Sequence, residues 1–235
     1  MRLTAKHAPS SLVSLFAALV LTAAGAAHGG EAANWSDNYQ SRLQVLALVQ
    51  TINADILAST SATLTLEKWC GDHAMSATPK VTAQLQRGIV KAASAEQRAR
   101  LQVGPDTPIK YRRVQLTCGG HLLSEADNWY VPERLSPAMN RLLDETDTPF
   151  GKAVLPLAPY RRTISARTLW SPLPDKWETA QAPVPAPAVP GGALDIPPAL
   201  FEHNAVLYTS GHLPFSEVRE TYQRGLLDFP PPPAR

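Results

Sequence analysis

One stretch restricts the fold more than any other: Tyr111 to Lys152, YRRVQLTCGGHLLSEADNWYVPERLSPAMNRLLDETDTPFGK. Two runs suited to strands, Ile109 to Thr117 and Leu122 to Val131, flank Gly119-Gly120. Paired glycines supply the positive φ angles that a tight hairpin needs. Pro132 ends the second strand, and Ser136-Pro137 opens a helix with a capping serine followed by proline at the first position. Thr148-Pro149-Phe150-Gly151 reads as a tight turn. Arg112 and Arg113 are neighbours on the first strand, so they point to opposite faces. A buried arginine offers a planar fork to a carboxylate, either of a ligand or of a core acid. Alternation alone does not choose between the two.

Around this stretch the pattern predicts helices first and antiparallel strands after. Helices are expected over Asp37 to Ser59, with Leu43, Leu46, Val49, Ile52 and Ile56 in its stripe, and over Thr63 to Trp69. A strand is expected in Lys80 to Val90, and a helix in Ser94 to Leu101. Tyr160 to Trp170, Leu200 to Tyr208 and Phe215 to Gln223 complete the strands. This order points to an α+β fold rather than a parallel βαβ sheet. A single domain over 36–229 is expected, with a Pro/Ala-rich insertion over 171–199 and a mobile tail over 230–235.

The first 27 residues have the form of an export signal: Arg2 and Lys6, the apolar run Leu12 to Leu21, then small residues up to a cleavage position near Ala27. An uncleaved anchor helix is the other reading, and the only route to a membrane. The expected location is periplasmic or secreted. In such an oxidising compartment Cys70 and Cys118, the only cysteines, read as a disulfide, against two buried thiols.

Net charge is +2, which calls for no nucleic acid. Phosphate-cradling and dinucleotide glycine loops, the nucleophile elbow and HExxH are all missing. Cys70, Asp72 and His73 match no zinc spacing, so neither metal nor cofactor is expected. Arg161, Arg162 and Arg167 could add positive potential, with a solvated face expected for at least two of them. Glu220, central in the last strand, could act as a proton donor if it faces inward, or pair with an arginine. His203 and His212 read as structural.

These features resemble chorismate pyruvate-lyase and its relatives, which include the effector-binding domains of GntR-type regulators. The resemblance rests on Arg113 before Gly119-Gly120, Val131-Pro132 closing the return strand, Thr148-Pro149-Phe150-Gly151, and Glu220 in the final strand. It covers about residues 60–225 without the insertion. It implies an antiparallel sheet of about six strands with flanking helices and an enclosed ligand cavity. By position it makes Arg113 the carboxylate holder, Glu220 the acid beside the leaving enolpyruvyl oxygen, and Phe150 a cavity wall. Asn128 stands where the lyase has a second arginine, so one anion contact is replaced. The implied reaction is elimination of pyruvate from chorismate to give 4-hydroxybenzoate, without cofactor. The alternatives are an exported, non-enzymatic binder of a small aromatic carboxylate, and a structural envelope protein whose cavity is filled by side chains such as Trp129 and Phe150.

Overall fold

A computed structural model describes residues 35–179, 186–187 and 191–231. The export-signal segment, the middle of the Pro/Ala-rich insertion and the last four residues lie outside the described residues. The chain forms helices α1 (Tyr39–Ala58) and α2 (Ala62–Asp72), strand β1 (Thr82–Leu85), helix α3 (Ala95–Arg100) and the hairpin β2 (Lys110–Cys118) and β3 (His121–Tyr130). Helices α4 (Pro137–Glu145) and α5 (Phe150–Ala153) follow, then strands β4 (Tyr160–Thr168), β5 (Ala199–Tyr208) and β6 (Pro214–Gln223). All six strands join one antiparallel sheet in the order β1-β2-β3-β6-β5-β4. The fold is therefore α+β with flanking helices, as the helix-first order predicts.

Local chemistry sets the element ends. Ser61, Ser94 and Ser136 each accept a backbone N–H with the side-chain hydroxyl and cap α2, α3 and α4. At Ser94 the cap is reciprocal, because Gln97 returns its side chain to the Ser94 N–H. Gly119 and Gly120 turn the β2–β3 hairpin with φ of 59° and 90°. A Cβ on Gly119 would also stand 2.8 Å from the Met75 carbonyl oxygen. Thr148-Pro149-Phe150-Gly151 is not an isolated turn: it is the entry to α5, with Pro149 at the cap position.

Helices α1 and α2 cover one face of the sheet, hereafter the inner face. Val45, Val49, Ile52 and Ile56 of α1 and Leu66 and Trp69 of α2 are buried there with Val114, Leu116, Ala126, Ala205 and Val218. The stripe of α1 thus runs through Val45, while Leu43 and Leu46 are only partly covered. A second cluster joins Tyr130, Leu135, Met139, Leu143, Phe150 and Phe215 and seats α4 and α5 at the end of the hairpin. Cys70 and Cys118 form a disulfide that ties α2 to the end of β2.

The outer face is held differently. Residues between β1 and β2 cross it as a strap fixed by polar contacts. Arg100 grips Glu217 through Nε and Nη2 at 2.8 Å each, and Lys91 pairs with Asp127 at 2.7 Å. The insertion is not wholly loose. Leu173 is buried, Ser36 bridges Ala193, and Leu194 donates its N–H to the Trp35 carbonyl at 2.6 Å. Among the described residues no helix is long and apolar enough to cross a membrane.

Candidate ligand cavity

A cavity of about 540 Å³, open mouth included, lies between the inner face and the starts of α2 and α5. Strand alternation builds its floor from Val114 and Leu116 on β2, Ala126 on β3 and Val218 on β6. Phe150 and Val154 close one side and Thr60 to Thr63 another. Gly151 allows this closeness, since a Cβ there would stand 2.8 Å from the Thr63 hydroxyl. Besides the hydroxyls of Thr60, Ser61 and Thr63, three polar side chains line the cavity: Asn128, Arg161 and Glu220.

Arg161 reaches Glu220 across β5, with Nη2 donating to Oε2 at 3.0 Å. The Tyr222 hydroxyl donates to the same oxygen at 3.0 Å. Burial pulls the Arg161 guanidinium down, but the charge of Glu220 and the nearby Tyr222 more than offset it, so its pKa is raised. Burial, then Glu220, holds the Tyr222 phenol well above its usual range. His203 stands opposite Glu220 in the β5–β6 register and donates Nε2–H to Asn53 Oδ1 of α1 at 2.7 Å. It is fully buried, and burial with the Arg161 charge outweighs Glu220 and pushes its pKa down to about 4.

Several donors here lack acceptors. Arg161 Nε, Asn128 Nδ2 and both Nε and Nη1 of Arg112 are buried without a hydrogen-bond partner. Arg112 lies opposite Asn128, beside the cavity, and its one bond runs from Nη2 to the Thr148 carbonyl at 3.1 Å. Burial lowers its pKa, with Tyr130 and Asp144 opposing.

The expected site residues separate accordingly. Glu220, Asn128 and Phe150 meet at the cavity. Arg113 does not: it lies on the outer face, bonded to Glu125 at 3.1 Å and Asp127 at 3.4 Å. The inner arginine of the adjacent pair is Arg112, and the arginine that meets Glu220 is Arg161. Trp129 also faces outward, donating to the Lys91 carbonyl at 3.0 Å, so it fills no cavity. His203, Tyr222 and the start of α2 belong to the surroundings of the site without any sequence signal beyond alternation. Arg162 and Arg167 are exposed. Of the candidate metal set, Cys70 is in the disulfide, Asp72 pairs with Lys68, and His73 donates Nδ1–H to the Trp69 carbonyl at 2.9 Å. Among the described residues no three His, Cys, Asp or Glu side chains converge to hold a metal.

No family model matches this sequence. The uncharacterized protein y4mC of Sinorhizobium fredii is 46% identical over 200 residues, covering 84% of this chain and 83% of its own. Among solved structures, the effector domain of PhnF from Mycobacterium smegmatis aligns with 18% identity over 61% of this chain and 81% of its own, at a TM-score of 0.42. A GntR-family transcriptional regulator from Enterococcus faecalis aligns with 13% identity over 60% and 88%, at a TM-score of 0.32. At these scores neither structural likeness bears on what this chain does.

Proposed function

Because the chain belongs to the same family as the uncharacterized y4mC protein of Sinorhizobium fredii, we propose its role from the cavity itself: it binds a small carboxylic acid with an apolar, ring-sized body. One observation carries this reading. Arg161 Nε and Asn128 Nδ2 are buried donors on the cavity wall with no acceptor. An unmet buried donor costs about 1–3 kcal/mol, and a ligand that brings acceptor oxygens removes that cost. The surrounding Val114, Leu116, Phe150 and Val218 suit the apolar body. Export fits the same picture. The disulfide between Cys70 and Cys118 belongs in an oxidising compartment, in line with the basic and apolar start of the sequence.

Thermal unfolding with 4-hydroxybenzoate tests the reading. A ligand at 100 times its Kd stabilises by roughly 2.7 kcal/mol. Ala126→Leu, which fills the cavity, should abolish the shift. Absence of any shift with 4-hydroxybenzoate or benzoate at millimolar concentration would sink the proposal.

A second reading is the chorismate pyruvate-lyase reaction, favoured by one observation: a carboxyl group, Glu220, set in an apolar wall. There Glu220 would hand its proton to the departing enolpyruvyl oxygen, worth about 10²–10⁴-fold in rate. Binding requires no such transfer, and Glu220 here accepts from two donors instead. Incubation with chorismate separates the two. Release of 4-hydroxybenzoate that disappears in Glu220→Gln supports the lyase, and binding without turnover supports the non-enzymatic binder.

A further inference from the structure

The Arg161–Glu220 pair raises a question of charge. An anion that accepts from both Nε and Nη2 of the Arg161 fork takes the nitrogen now on Glu220, and leaves that carboxylate with the Tyr222 hydroxyl but without its cation, at 6% exposure. A buried carboxylate without a cation is costly, so something must compensate it. His203 is placed to do so. It is Glu220's cross-strand neighbour, and cross-strand neighbours hold their Cβ atoms about 5 Å apart. Its Nε2–H is committed to Asn53, which leaves Nδ1 as the acceptor. That Nδ1 is buried and without a partner. Glu220 Oε2 takes both Arg161 and Tyr222, so the second oxygen remains for a new donor.

We propose that anion binding at Arg161 is coupled to uptake of one proton by His203, which then takes over Glu220. The inference rests on the binding reading above. In the step, the Arg161–Glu220 bond opens and Arg161 turns to the ligand carboxylate. A proton from solvent adds to His203 Nδ1, and the new Nδ1–H donates to Glu220. One negative charge and one proton enter together, so the charge of the site is conserved. The groups facing His203 are Glu220 and Tyr222 on β6, Arg161 on β4 and the uncharged Asn53 on α1. The ligand-free imidazole is neutral at pH 7, because its pKa lies at about 4. The arrangement makes the protein take up its ligand as the medium acidifies.

The test is calorimetric titration of the full-length mature protein with benzenesulfonate, an anion that does not protonate in the working range, and with 4-hydroxybenzoate. Affinity for each should rise as pH falls from about 7.5 to 5.5, approaching tenfold per unit at full coupling. Heats in two buffers of different ionisation enthalpy should show net proton uptake. The slope should vanish in His203→Gln, which keeps a donor for Asn53 but cannot titrate. Asn53→Asp, a carboxylate on Nε2–H, should move the slope to higher pH, and it guards against misfolding of the first variant. Binding with no pH dependence, or with the same dependence in His203→Gln, overturns the coupling while leaving the binding reading intact. Failure of both acids to bind at any pH overturns both.

Discussion

Arg161 Nη2 and Glu220 Oε2 meet at 3.0 Å across an intervening strand, with side chains only 6% and 8% exposed. Tyr222, two residues along, also bonds Glu220, but the countercharge comes from another strand: the β6-β5-β4 order brings the two charges together. Removing one partner of such a pair strands the other charge in the interior, which costs about 3–5 kcal/mol. Arg161→Ala and Glu220→Ala should each lose that amount in urea unfolding. The double variant Arg161→Met/Glu220→Leu should recover most of it. Additive losses in the double variant would show that the two charges do not compensate each other.

His203 makes ligand-free stability depend on acid. Its pKa is depressed from 6.5 to about 4 in the folded chain. Between those values the unfolded chain binds a proton that the folded chain refuses. Stability is therefore full above about pH 6.5 and falls as pH drops to 4, by at most about 3 kcal/mol. Denaturation midpoints measured across this window should fall in the wild type and stay flatter in His203→Gln. Equal slopes would mean that His203 is not the group responsible.

The disulfide closes a loop of 48 residues by sequence separation. Chain entropy gives such a closure about 4 kcal/mol. Paired Cys70→Ala/Cys118→Ala substitution should lower stability by about that much, and added reductant should have no further effect on the variant. A variant as stable as the wild type would contradict the entropic account.

Gly225 sits in the short turn Arg224–Leu227, where a Cβ would fall 2.1 Å from the Leu122 carbonyl oxygen. The obstacle is backbone on β3, which cannot swing aside. Gly225→Ala should cost about 2–3 kcal/mol by overpacking. Equilibrium unfolding of this variant beside Gly211→Ala, whose nearest neighbour is an ordinary 3.8 Å away, gives the control.

The sequence makes the secondary structure readable wherever local chemistry decides it. Capping serines and the Gly119-Gly120 turn fall in place because they act within a few residues. The choice between Arg112 and Arg113 is of another kind. Counted straight back from the glycine turn, Asn128 falls opposite Tyr111 and shares the face of Arg113. A register shift between Leu116 and Thr117 moves the pairing by one residue and sets Asn128 opposite Arg112 instead. A one-residue shift exchanges faces, and no local residue type announces this bulge. Arg161 was hidden for a related reason. In Tyr160-Arg161-Arg162 only the partner strand decides which arginine turns inward, and Glu220 lies 59 residues further along.

The link between Cys70 and Cys118 also changes what the chain is as a connected object. Residues 70 to 118 form a covalent ring, and everything else hangs from it as two branches: α1 with most of α2 on one side, and β3 to β6 on the other. A protease that cuts the strap between β1 and β2 opens the ring without parting the molecule. Both branches stay attached, and the two cavity walls they supply remain within reach of each other. In an environment rich in proteases, such a nick leaves one molecule that separates into two pieces only under reduction.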